Sequence, residues 1–136
     1  MDLPPDVGCI EKAQLLIWRP RGVLDEARVD TMISFVTETE NKLGKSFNRF
    51  TDFSLIEAVD LRFKYVFEIA LSRRLSRRGR SQIKSAFFVT NPAIAHYLKV
   101  AAVLTDHSPL QVALFETREA AAKWLGVAPE LLAPQE

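Results

Sequence analysis

The chain has 136 residues and a formal net charge of +1, a length that suits one domain with its own core. So small a charge excludes a general attraction to nucleic acid or to anionic membranes. A single cysteine, Cys9, excludes an internal disulfide framework and a cysteine-rich zinc site.

Residues 1–8 contain proline and glycine and are expected to be a loose or extended lead outside the domain. Ala13–Trp18 predicts the first core strand, with Leu15, Leu16 and Ile17 in a row; Cys9–Lys12 either extends it or forms a separate strand. Arg19-Pro-Arg-Gly22 predicts a turn, because Pro20 lacks an N–H and Gly22 tolerates positive φ. Val23 and Leu24 can briefly rejoin a sheet. Asp25 then caps a helix to about Leu43, with an apolar stripe of Val29, Met32, Ile33, Val36 and Leu43 and a stop at Gly44.

Phe47–Phe53 predicts the second core strand. A helix is expected from Glu57 or Asp60 to Ser76, with Phe63, Val66, Phe67, Ala70 and Leu71 at core spacing. Ile83–Thr90 predicts the third core strand. Asn91 caps the next helix with Pro92 at its first position, and Ile94, Tyr97, Leu98, Ala101 and Ala102 form its buried face. Asp106-His-Ser-Pro109 is a turn. The closing stretch is a strand from Leu110 to Phe115, apolar on both faces. It is followed by a helix capped by Thr117, supported by Glu119 and ended by Gly126. Residues 128–136 are expected to be a tail, leaving 9–127 as the domain.

Strands separated by helices need crossover connections, so much of the sheet should be parallel. The expected fold is α/β, a four- to five-stranded, mostly parallel sheet covered by about four helices. An antiparallel strand is possible at its start.

Three stretches carry a family resemblance: Arg21-Gly-Val-Leu-Asp-Glu26, Arg49-Phe-Thr-Asp-Phe-Ser54, and Val112-Ala-Leu-Phe-Glu-Thr-Arg-Glu-Ala-Ala-Ala-Lys-Trp-Leu125. They are similar to the glycine before the first helix, the strand ending in aspartate, and the closing strand and helix of the SpoIIAA-like, or STAS-like, family. That family is named for sulfate transporters and anti-sigma-factor antagonists and neighbours the Sec14 lipid-binding class in fold. The resemblance spans about residues 13–126 and implies a single STAS-like domain, non-enzymatic and often self-associating. Anti-sigma-factor antagonists place a phosphorylatable serine or threonine at the start of the helix after the aspartate strand. Here the matching stretch is Val59-Asp-Leu-Arg-Phe63, with no hydroxyl after Asp60, so the phosphorylation switch does not carry over.

Asp52 and Ser54, at the carboxyl end of a central strand where open α/β sheets bind ligands, form with Asp60 the candidate ligand or partner locus. Helix capping and loop hydrogen bonding are the plainer account of the same residues. Arg73, Arg74, Arg77, Arg78 and Arg80 form an uninterrupted basic run that could grip phosphate or a carboxylate-rich partner, or simply solvate a helix end. His107, between Asp106 and Ser108, does not make a triad, since triad members meet through space rather than along a turn. His96 and His107 without an acidic pattern do not make a metal site. Phe63, Phe67, Phe87, Phe88, Tyr97 and Trp124 sit at core spacing, and a pocket for an acyl ligand is the alternative use of them.

No catalytic residues, metal or cofactor are expected, and nucleic-acid binding is not. The N-terminus lacks the basic and apolar regions of a signal peptide, and apolar runs such as Val100–Leu104 are too short to span a bilayer. The expectation is therefore a cytoplasmic interaction or regulatory domain with a protein partner or a second copy of itself, a homodimer. Exposed apolar residues on one helix, Phe35 or Tyr65, would favour it. The rival is a carrier of a small apolar or anionic ligand, which an internal cavity of several hundred Å³ would favour.

Overall fold

The computed structural model describes residues 3–76, 82–105 and 110–134; the side chains of residues 73–76, 104 and 105 lie outside that description. Along the chain the elements are β1 (Val7–Ile10), a 3-10 turn (Glu11–Ala13), β2 (Leu15–Trp18), β3 (Gly22–Asp25) and α1 (Glu26–Leu43). Then come β4 (Asn48–Asp52), β5 (Ile56–Asp60), α2 (Phe63–Ser76), β6 (Ile83–Phe88) and α3 (Pro92–Thr105). The chain closes with β7 (Leu110–Phe115), α4 (Arg118–Leu125) and a second 3-10 turn (Pro129–Leu132).

The main sheet has five strands in the order β1-β2-β4-β6-β7. β1 runs antiparallel to β2, and every other pairing in the sheet is parallel. The parallel strands are laid down in one direction, and right-handed crossovers therefore put the connecting helices α1, α2 and α3 on one face. The other face is left for α4 and the final turn. There, fully buried Ala121 and Ala122 let the helix sit close over Leu15, Ile17, Phe50, Ala86 and Phe88. On the three-helix face the core divides around Leu16, Val36 and Phe47 under α1, and around Leu24, Phe53, Ile56, Val89 and Ile94.

The helix ends follow local chemistry. Asp25 accepts from the N–H of Arg28, Asn91 from Ala93 and Thr117 from Ala120. Gly126 ends α4 at φ 76°, and its N–H donates to the Ala122 carbonyl.

Three expectations are corrected. First, Ile56–Asp60 is a strand, not the start of a helix: it pairs in parallel with β3 as a small separate ribbon. Glu57 and Ala58 are good helix formers, but the Ile-Glu-Ala-Val run is captured by β3, whose Gly22 takes φ 71° beside a shift in register. Second, Val7 and Gly8 belong to β1 and so to the domain, rather than to a lead outside it. Their backbone is held against β2, and the Asp6 carbonyl accepts from Arg19 N–H at 2.9 Å. Third, the tail beyond residue 127 folds back, and Leu132 is fully buried against the α4 face.

Replacing Leu132 by alanine should lower unfolding free energy by about 2–5 kcal/mol. Its exposed neighbour Leu131 should tolerate alanine within roughly 0.5 kcal/mol. Urea denaturation of the two variants measures the contrast.

Candidate functional site

Asp52 ends β4 and is 1% exposed. Its Oδ2 accepts from Arg19 Nη1 at 2.7 Å and from Arg118 Nη2 at 3.0 Å, and its Oδ1 accepts from the Ser54 N–H at 2.9 Å. Arg19 follows β2, the neighbouring strand, and its Nη2 also donates to the carbonyls of Leu132 and Ala133 at 2.8 and 2.9 Å. Arg118 opens α4, lies over the Phe88 ring at 4.5 Å, and reaches Ser54 Oγ at 3.4 Å.

Burial disfavours charge on Asp52, but hydrogen bonding from Ser54 and the Arg118 guanidinium outweighs it and holds the carboxyl below its ordinary range. The carboxylate is therefore ionised and fully engaged by protein donors. It joins two strands, a helix and the C-terminal turn.

Of the expected locus, the structure brings Asp52 and Ser54 together. Asp60 ends β5 opposite Asp25, exposed, and no hydrogen bond or ion pair joins it to them among the described residues. It does not cap α2, which begins at Phe63. Arg73 and Arg74 lie on the last turns of α2, with side chains outside the description; Arg77, Arg78 and Arg80 lie outside the described residues, as does the Asp106-His107-Ser108 turn. Arg19 and Arg118 were not legible as partners of Asp52. The one available signal is chemical: a carboxylate at the end of a central strand requires a cation from an adjacent element.

A second buried pair closes the opposite end of β4. Arg49 Nη2 donates to Glu40 Oε1 at 3.0 Å, and Glu40 Oε2 accepts from the Phe47 N–H at 2.8 Å. This ties the end of α1 to the strand that follows it.

Between the sheet and α1, α2 and α3 lies a cavity of about 150 Å³, lined largely by apolar side chains including Trp18, Met32, Phe53, Phe87 and Leu98. Tyr65 borders it and is buried. Its hydroxyl bonds the Asp30 carboxylate and the Glu26 carbonyl, fastening α2 to α1. Burial first, and then the bond to Asp30, push its phenol well above the ordinary value.

The outer side of α2 is also apolar. Phe63, Phe67 and Leu71 are 46%, 49% and 40% exposed. This corrects their assignment to the core: Tyr65, Val66 and Ala70 take the inward positions. A helix apolar on both sides gives periodicity no basis for choosing between its stripes. Phe63 stacks on Tyr97 of α3, with ring centres 4.7 Å apart, and meets His96 edge-on. Tyr65 and Phe35 are therefore not the exposed pair; Phe35 packs half-buried against the α1 core.

Among the described residues, no three His, Cys, Asp or Glu side chains converge as metal ligands, and no helix is long and apolar enough to cross a membrane.

The strand order, with three helices on one face and a closing helix on the other, defines an α/β domain with a SpoIIAA-like fold. The chain is similar in structure to an uncharacterized protein of the DUF3478 family from Shewanella loihica PV-4, described as having that fold. The TM-score is 0.51 and the identity 16%, covering 82% of this chain and 83% of the other. No family profile and no curated protein matches the sequence. At that identity the likeness concerns the fold.

Asp52→Ala should cost about 3–5 kcal/mol at neutral pH, because it leaves two guanidinium groups without their buried counter-charge. The folded carboxyl titrates below the unfolded one. Its contribution is thus complete above about pH 4 and is lost as pH falls through the lowered value. Asp52→Asn should accordingly flatten the acid limb of stability against pH. Denaturant titrations across that range check both.

Proposed function

We propose that this chain is a non-enzymatic, cytoplasmic interaction domain that docks an apolar protein surface on the outer side of α2 and α3. The observation that carries the reading is the line of Phe63, Phe67 and Leu71, spaced four residues apart on one helix and each at least 40% exposed. Val103, on the packed neighbour α3, is 73% exposed. Large apolar side chains that are lined up rather than scattered are a mark of interaction surfaces. Two further facts support the reading. Asp52, the best-placed carboxylate, is occupied within the fold. The start of α2, Arg62-Phe63-Lys64, carries no hydroxyl that a phosphorylation switch could use.

A second reading, a carrier of a small apolar ligand, is favoured by the cavity beneath the same helices. Its roughly 150 Å³ suits a guest about the size of benzene rather than a long acyl chain. An added mass released on denaturation in native mass spectrometry would support it.

A photocrosslinking residue at Phe67 should give a discrete protein adduct in the source cells, and Phe63→Ser should diminish it while lowering stability by about 1 kcal/mol through the lost ring contact with Tyr97. Adducts arising only from a probe at Lys123, on the α4 face, would overturn the reading.

A further inference from the structure

The sheet has two edges, and they are handled differently. β1 is four residues long, follows Pro4 and Pro5, and ends in a 3-10 turn. These are the devices by which natural edge strands avoid pairing. β7, Leu-Gln-Val-Ala-Leu-Phe, has six residues, no charge and no proline, and its register against β6 runs unbroken from Leu110 to Phe115. Among the described strands it pairs with β6 alone. From Val112 to Phe115 it is only half-buried, whereas most of β6 is buried.

The direction of its backbone groups follows from one bond. The Phe115 carbonyl accepts from the Val89 N–H at 3.0 Å, so Phe115 faces the β6 side. Alternation along the strand turns Ala113 the same way and turns the N–H and C=O of Val112 and Leu114 outward. The side chains of Val112 and Leu114 are directed to the three-helix face, where Val112 lines the cavity and Leu114 packs with Phe53 and Val89. The outward backbone groups are thus fixed in place by packing.

We infer that a second copy of this chain adds to the open edge of β7, antiparallel, about a two-fold axis at Ala113, making one sheet through both copies. In that register each Val112 faces the other copy's Leu114 as a hydrogen-bonded pair, so the outward N–H groups of these two residues each meet an acceptor. The two Ala113 residues meet as the non-hydrogen-bonded pair, where Cα atoms come within about 4.5 Å. The smallest side chain of the strand stands where the copies approach most closely. This association goes beyond the proposed function and leaves the α2–α3 surface free for a different partner.

Sedimentation velocity of the full chain over a concentration series tests it. The wild type should dimerise, with the amides of Val112 and Leu114 becoming slow to exchange as the dimer forms. Val112→Pro deletes an outward donor and no bond of the β6 ladder, and should raise the dimer dissociation constant by about tenfold or more. Ala113→Lys sets like charges opposite each other and should do the same; it decides the matter if the proline variant does not fold. Phe67→Ser should leave the dimer intact. A chain that stays monomeric, or a dimer that survives Ala113→Lys, would overturn the inference. So would a dimer that Phe67→Ser dissolves, or a β7 edge taken up by another protein's strand and not by a second copy.

Discussion

A single buried carboxylate fastens the α4 layer of this domain to the sheet. Asp52 ends the central strand, almost without exposure, and is met by Arg19 from β2 and Arg118 from α4. Burying one charge is unfavourable by several kcal/mol unless its partners are well placed. Here two guanidinium groups and a backbone N–H share the two oxygens, and each guanidinium rests against an aromatic ring of the sheet. Arg19 extends the same clamp to the C-terminal turn, whose carbonyls it binds. Ala121, Ala122, Leu125 and Trp124 of α4, with Leu132, cover the sheet there, and the clamp adds a fixed polar registration to that apolar contact.

This arrangement separates structure from function along the chain. The carboxyl end of a parallel sheet is where α/β proteins usually bind ligands. In this domain that position is filled by the protein's own arginines. What remains available lies elsewhere: the outer stripe of α2, the small cavity beneath it and the edge of β7. α2 is central to two of these, because its inner face closes the cavity while its outer face presents aromatic rings to solvent. The bonds of Tyr65 to α1 keep the helix in that orientation.

Most of the fold was legible because its signals are local. The caps at Asp25, Asn91 and Thr117 and the stops at Gly44 and Gly126 each rest on a few adjacent residues. So does the parallel character of the sheet, through the length of the helices between strands. What escaped depends on distance. β5 exists because β3 pairs with it, and its own residues favour a helix as readily. Leu132 belongs to the core because the clamp draws the terminus back. Asp52 was found from its position on the strand, but its role was not, since its partners stand 33 and 66 residues away. On α2, Val66 and Ala70 are buried as expected, whereas Phe63, Phe67 and Leu71 face outward; both sides of the helix are apolar, and docking on α1 through Tyr65 decides between them.

Residue-resolved hydrogen exchange of Asp52→Asn against the wild type tests the clamp most directly. If Asp52 fastens the second face to the sheet, amides of α4 and of the turn at Pro129–Leu132 will lose protection well before those of α1 and α3. Protection that falls evenly over the whole domain, or an α4 that exchanges as slowly as before, would contradict the account.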